Sequence, residues 1–231
     1  MSETSGQLSF DTNTDTGTNT DAQQPPSAPS AASAAVPGLR YIADWLAPDA
    51  GTALLAGIDA ASWSAQLKRR VQHYGHRYDY GRRAVAADTS QATAPPLPVW
   101  ARELAARLVD EGLMDREADQ VIVNEYRPGQ GISAHVDCVP CFGPVVAAIS
   151  LGSSCLMDFT NPNPKPNPNP DDGTKLAVPL APGSLLVMAG PARYAWRHAI
   201  AARKSDPGAA GRVPRGRRVS VTFRTVLHTT Q

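Results

Sequence analysis

The sequence predicts a mainly β fold with flanking helices, an α+β arrangement built on an antiparallel sandwich or jelly roll. Three observations lead there. Beyond Gln120 the chain is a succession of short apolar runs, VIVNEYR, VVAAISL, CLMDF, KLAVPL, SLLVMAG and VSVTFRTV, divided by turn residues with no helical pattern between them. Helical signatures are confined to the first half of the chain. A length of 231 residues suits one domain that buries its apolar surface without a disulfide framework or structural metal.

Taken in order, residues 1 to 36 are Ser, Thr, Asp, Gln, Asn, Ala and Pro with almost no bulky apolar groups, so burial could not offset the entropy of ordering them. They are expected to form a disordered tail. Leu39, Tyr41, Ile42, Trp45 and Leu46 then open a domain expected to span 37–231, and Pro48 before ALLAGID marks a helix with proline in its first turn. Residues 67–83, LKRRVQHYGHRYDYGRR, alternate apolar or aromatic with polar positions in the manner of exposed strands, interrupted at Gly75 and Gly81. After Pro95–Pro98, the spacing of Trp100, Leu104 and Leu108 predicts an amphipathic helix that ends near Gly112. The Asn-Pro run 161–173 cannot join a central ladder, because proline has no amide hydrogen, and is expected to be an extended surface loop.

Net charge is +1, but four of the 21 acidic residues and none of the 22 basic ones lie in the tail, leaving the domain at about +5. Such a balance permits a nucleic-acid partner without requiring one. With no long apolar run and no signal-peptide core, a soluble cytoplasmic protein, monomeric and without a membrane partner, is expected. Three cysteines argue against a disulfide framework, and Cys138-x-x-Cys141 reads as two loop thiols, since no second CxxC accompanies it.

The stretch Asn124–Asp137, NEYRPGQGISAHVD, concentrates the chemistry. On a strand, residues two apart share a face, so Asn124 projects with Tyr126 and His135 with Asp137. An imidazole and a carboxylate so placed are two corners of the two-histidine, one-carboxylate set of non-haem iron oxygenases. Of His73, His76, His135, His198 and His228, His198 is the best third corner, because it closes the strand-turn PGSLLVMAGPARYAWRH within the β region. In RVSVTFR, Arg218, Ser220, Thr222 and Arg224 share one face and Val219, Val221 and Phe223 the other. Two arginines facing an interior need anionic partners, and a ligand carboxylate would serve.

Together NEYRPGQGISAHVD, FGPVVAAISLGS, RYAWRH and RRVSVTFR resemble the AlkB family of Fe(II)- and 2-oxoglutarate-dependent dioxygenases, over roughly Pro37–Val226. The resemblance implies a double-stranded β-helix (jelly-roll) core, iron on His135, Asp137 and His198 as the catalytic centre, and O2 as oxidant. It also implies that Asn124, Tyr126 and Arg218 hold 2-oxoglutarate, with Arg224 nearby and Ser220 where repair members often carry asparagine. The implied activity is oxidative demethylation of alkylated DNA or RNA bases.

The family builds its nucleotide-recognition lid where residues 67–83 fall, which offers Arg69, Arg70, Tyr74, Tyr78 and Tyr80 for phosphate contact and base stacking. Arg203, Lys204, Arg212, Arg215 and Arg217 suggest a second phosphate-binding cluster near the mouth. DNA-repair members place an acidic base-recognising residue two positions past the metal aspartate, where this chain has Val139. The same chemistry on a protein side chain, or a nucleic-acid-binding module with a non-catalytic metal site, stand as the alternatives.

Overall fold

Antiparallel pairing of the predicted strands gives two facing sheets in this computed structural model, which describes residues 35–65, 67–79, 84–85, 94–161 and 175–227. The expected tail up to residue 34, Tyr80, Arg82, Arg83, all but Asn161 of the Asn-Pro run, and His228 lie outside the described residues. The larger sheet has the order β1 (Leu39–Ile42), β10 (Leu185–Met188), β7 (Phe142–Gly152), β14 (Arg218–Val226), β5 (Gln120–Tyr126) and β2 (Val71–Tyr74). The smaller has the order β6 (Ile132–His135), β11 (Arg197–Ile200), β8 (Cys155–Thr160) and β9 (Lys175–Leu180). Two hairpins, β3 (Tyr78–Asp79) with β4 (Ala84–Val85) and β12 (Ser205–Gly208) with β13 (Gly211–Pro214), complete the described strands. This is the jelly roll that the run of short strands predicts.

The period of two sorts β14 as the sequence suggests. Val219, Val221 and Phe223 are fully buried on the outer face of the larger sheet, under α1 (Pro48–Asp59) and α2 (Val99–Asp110). Each such side chain contributes roughly 1.5–3 kcal/mol by leaving water. The alternate residues Arg218, Ser220 and Thr222, buried as well, face the space between the sheets. There Tyr126, Phe159, Leu186, Met188, Trp196 and Ile200 form a second core. Helix α1 opens on Pro48 and buries Leu54 and Ile58. Helix α2 is rotated from the expected stripe: Ala101, Ala105 and Leu108 are buried and Trp100 and Leu104 lie at the border. Gly112, at φ +63°, follows its end as expected.

Residues 67–83 differ from the exposed ribbon expected of them. Residues 71–74 form an edge strand of the larger sheet, register-paired with β5, and Val71, Gln72 and Tyr74 are buried. Gln72 Nε2 donates to the Ile58 carbonyl at 2.8 Å, which ties this edge to the end of α1. Gly75 ends the strand at φ +75°, where a side chain would collide with the Asp119 carbonyl, and beyond it β3 turns away toward the site. No helix among the described residues is long and apolar enough to cross a membrane.

Candidate metal centre

Strand β6 ends on His135, and the antiparallel register sets His198 of β11 directly across from it. Gly131 permits this approach, since a Cβ there would strike the Ile200 carbonyl. The two imidazoles lie with centroids 4.3 Å apart. Asp137, just past β6, completes a cluster in which one ligand atom from each residue lies within 4.8 Å of the others, the one such cluster found among the described residues. His135 Nδ1 is 2.8 Å from the Ser133 carbonyl. A carbonyl only accepts, so Nδ1 carries a proton toward it, and Nε2 is the ring nitrogen that faces Asp137, whose Oδ1 lies at 3.5 Å.

The charges favour cation binding. Burial alone would raise the Asp137 carboxyl, but Arg224 and the two imidazoles outweigh it and hold the carboxyl well below the usual range. Arg224 donates to Asp137 through Nε at 3.1 Å and Nη2 at 3.3 Å. Burial pushes His198 down to about 4, so its ring is neutral at pH 7. Its Nδ1, though buried, has no hydrogen-bond partner among the described residues. Two imidazoles and one ionised carboxylate, with a buried ring nitrogen of His198 unpartnered, fit an Fe(II) ion with open positions.

The neighbouring cation is as informative. Arg218 is 2 % exposed, yet its Nε and Nη1 have no partner among the described residues; only Nη2 is engaged, donating to Ser150 Oγ at 2.9 Å and more weakly to Ser220 Oγ at 3.4 Å. Its guanidinium lies 5.4 Å from the centre of the buried Tyr126 ring. Unpartnered donors on a buried guanidinium are costly, and a carboxylate of a ligand would satisfy them. His135 and Asp137 line a cavity of about 610 Å³, walled in part by Arg69, Tyr78, Asn124, Phe142 and Arg224.

Of the expected lid residues, Arg69 and Tyr78 reach this cavity. Arg69 Nε donates to Asn124 Oδ1 at 2.8 Å, its guanidinium lies 5.7 Å from the Tyr126 ring, and Tyr78 packs on Phe142 with centroids 5.6 Å apart. Arg70 and Tyr74 are elsewhere. Arg70 pairs at 2.6 Å with Glu125, which follows Asn124 on β5 and so leaves that strand on the opposite face. Tyr74 packs edge-on against Trp100 in the helix-side core and donates to Gln72, so it cannot stack on a base. Val139 is 46 % exposed, next in sequence to Cys138 of the cavity wall.

Two further expectations need correction. Cys138 and Cys141 are joined by a disulfide across Cα atoms 5.3 Å apart, because the tight turn between them brings the thiols together. The second basic cluster is largely engaged within the protein. Arg203 and Arg215 pair with Asp206, Arg217 with Glu125 and Asp59, and Arg212 with Ser205. Glu125, on which Arg70 and Arg217 converge, is held down to about 2 chiefly by the hydrogen bond from Arg70. Arg193 opens the RYAWRH motif without an implied role of its own, although an arginine preceding the third histidine within an apolar strand-turn signals a buried cation that needs acceptors.

Fold and ligand set together define the class, an iron- and 2-oxoglutarate-dependent oxygenase. The family model described as the 2OG-Fe(II) oxygenase superfamily matches residues 38–224. A Xenopus tropicalis protein named tRNA (carboxymethyluridine(34)-5-O)-methyltransferase alkbh8 is 34% identical over 212 residues, 83% of this chain but 32% of its own length. An Arabidopsis thaliana protein named alkylated DNA repair protein ALKBH8 homolog is 34% identical over 203 residues, 83% of this chain and 59% of its own. The mimivirus protein L905 is 32% identical over 191 residues, 82% of this chain and 85% of its own. The fold is shared with OsALKBH1 at a TM-score of 0.61 and 18% identity, covering 82% of this chain and 97% of that one. It is shared also with HygX of Streptomyces hygroscopicus, solved with nickel, 2-oxoglutarate and hygromycin B, at 0.53 and 11%, covering 84% of each chain. The chain belongs to the AlkB family of Fe(II)- and 2-oxoglutarate-dependent dioxygenases.

Proposed function

We propose that this chain oxidatively demethylates alkylated bases of DNA or RNA, with succinate, carbon dioxide and formaldehyde as products. The observation that carries the reading is the pairing of a three-ligand cluster with an unpartnered buried arginine, beside a cavity walled by the cation Arg69 and the aromatic Tyr78. His135, Asp137 and His198 would hold the iron. Arg218 would fix the distal carboxylate of 2-oxoglutarate through Nε and Nη1, and Asn124, Tyr126 and Ser220 would border the co-substrate. When bound, iron with 2-oxoglutarate and O2 supplies the oxidation of a substrate C–H bond, which the protein alone cannot perform. Arg224 keeps Asp137 ionised and oriented, and the Ser133 carbonyl fixes the His135 tautomer, so the metal-facing lone pairs are set in advance. Tyr78 and Arg69 would meet the base and its phosphates.

Relatives named for tRNA and for alkylated DNA support a nucleic-acid substrate, so the test uses a panel of N-methylated DNA and RNA oligonucleotides and tRNA with iron, ascorbate and 2-oxoglutarate. Formaldehyde release above the His135→Ala background is expected from at least one of them. Release from none, with succinate still formed, would instead favour oxidation of a protein side chain, the reading that the exposed apolar Val139 supports. No succinate at all from the iron-loaded wild type would leave only a binding module.

A further inference from the structure

Helix α3 (Gly190–Tyr194) stands between β10 and the strand that carries His198, and it buries Arg193 to 2 % exposure. No described carboxylate forms an ion pair with this guanidinium. Its partners are four backbone carbonyls. Nη1 donates to Asp137 at 2.9 Å, Nη2 to Cys138 and to Phe142, each at 3.2 Å, and Nε to Gly143 at 3.3 Å. These acceptors bracket the loop that leaves Asp137 and returns into β7, the loop closed on itself by the Cys138–Cys141 disulfide. The helix is anchored from behind, since the Ala192 amide donates to the Pro37 carbonyl at 2.9 Å.

We infer that Arg193 is a positioning residue for the metal centre, tying the Asp137 arm to the His198 arm. The two arms come from distant parts of the sequence, and the cross-strand pairing of His135 with His198 does not reach Asp137, which lies beyond the end of β6. Arg224 holds the Asp137 carboxylate, and Arg193 constrains its backbone. Its planar fork spans carbonyls at both ends of the loop, which a lysine ammonium, a point donor, cannot do. Tight packing would be achieved at less cost by an apolar side chain of similar volume, since a buried cation must give up its hydration. What the guanidinium adds is direction: Asp137 is held through its own carbonyl, leaving the carboxylate for Arg224 and the ion.

The inference rests on the triad as a metal site, and the experiment separates the two. Co(II) is titrated into wild type, His135→Ala, Arg193→Lys and Arg193→Met, following the d–d absorption bands, with circular dichroism and thermal midpoint measured on each. Arg193→Met should bind Co(II) roughly 10- to 100-fold more weakly than wild type with altered bands, and Arg193→Lys should recover part of the loss. Should Arg193→Met not fold, Arg193→Lys alone decides, with a weaker affinity and altered bands expected. Folded Arg193 variants that bind within about twofold of wild type with unchanged bands would overturn the inference while leaving the metal site standing. A wild type that binds Co(II) no better than His135→Ala would overturn both.

Discussion

Arg215 and Arg218 lie three positions apart and are both buried, yet they end in opposite states. Arg215 donates to Asp206 through Nε and Nη2 and to the Ala201 carbonyl through Nη1, so each of its three nitrogens has an acceptor. Arg218, facing the space between the sheets, keeps two nitrogens without one. The same contrast separates whole regions. On the rim, Arg203 and Arg215 converge on Asp206, and Arg70 and Arg217 on Glu125, in closed networks. Beside the metal cluster, the charge is left open. A satisfied buried cation is a brace, whereas an unsatisfied one marks the place of a ligand.

The contrast is broken most severely at Arg218. Arg218→Met should raise the KM for 2-oxoglutarate in uncoupled succinate formation roughly 10- to 100-fold, because a charge-assisted contact of about 1.5–3 kcal/mol is lost. The thermal midpoint should hold or rise, since the variant removes a buried charge that the protein itself does not pair. Glu125→Gln should do the reverse, leaving that KM unchanged while lowering unfolding free energy by about 3 kcal/mol in denaturant titrations. The pH dependence gives the sign. The folded-state value of Glu125 lies near 2 against an ordinary 4.5, so the unfolded chain binds more protons between them. Its contribution is complete above pH 4.5 and is lost as pH falls toward 2, and Glu125→Gln should flatten that limb of the stability curve. The smallest effect is expected at Lys175, 62 % exposed and 3.6 Å from Asp158. Lys175→Ala should change the unfolding free energy by less than about 0.5 kcal/mol, since exposed pairs are weak.

Where pattern alone decides orientation, the sequence was informative. The alternation of Val219, Val221 and Phe223 with Arg218, Ser220 and Thr222 follows from the pleat, and the spacing of His135 and Asp137 brought two ligands to one place. Orientation that depends on a turn or a distant partner was not legible. Tyr74 and Tyr78 look equivalent in a basic aromatic stretch, but the chain reverses at Gly75 and sends one ring to the helix-side core and the other to the cavity. Neighbouring Arg69 and Arg70 part because their partners Asn124 and Glu125 lie on opposite faces of β5. The cluster Arg203 to Arg217 read as free charge because Asp206 was its only acidic neighbour in sequence, while Glu125 and Asp59 come from other elements. The disulfide depends on how tightly residues 138–141 turn, and the acceptors of Arg193 are carbonyls, which carry no sequence signal at all.

The facing of His135 and His198 across β6 and β11 has a consequence for assembly. Neither histidine has the other nearby until two remote strands have docked in register, so the unfolded chain offers the ion no comparable site. Metal uptake is then linked to completion of the fold: an ion present at about 100 times its Kd would draw the folding equilibrium by about 2.7 kcal/mol toward the native state. An ion held by both histidines would act as a latch between the two strands that carry them.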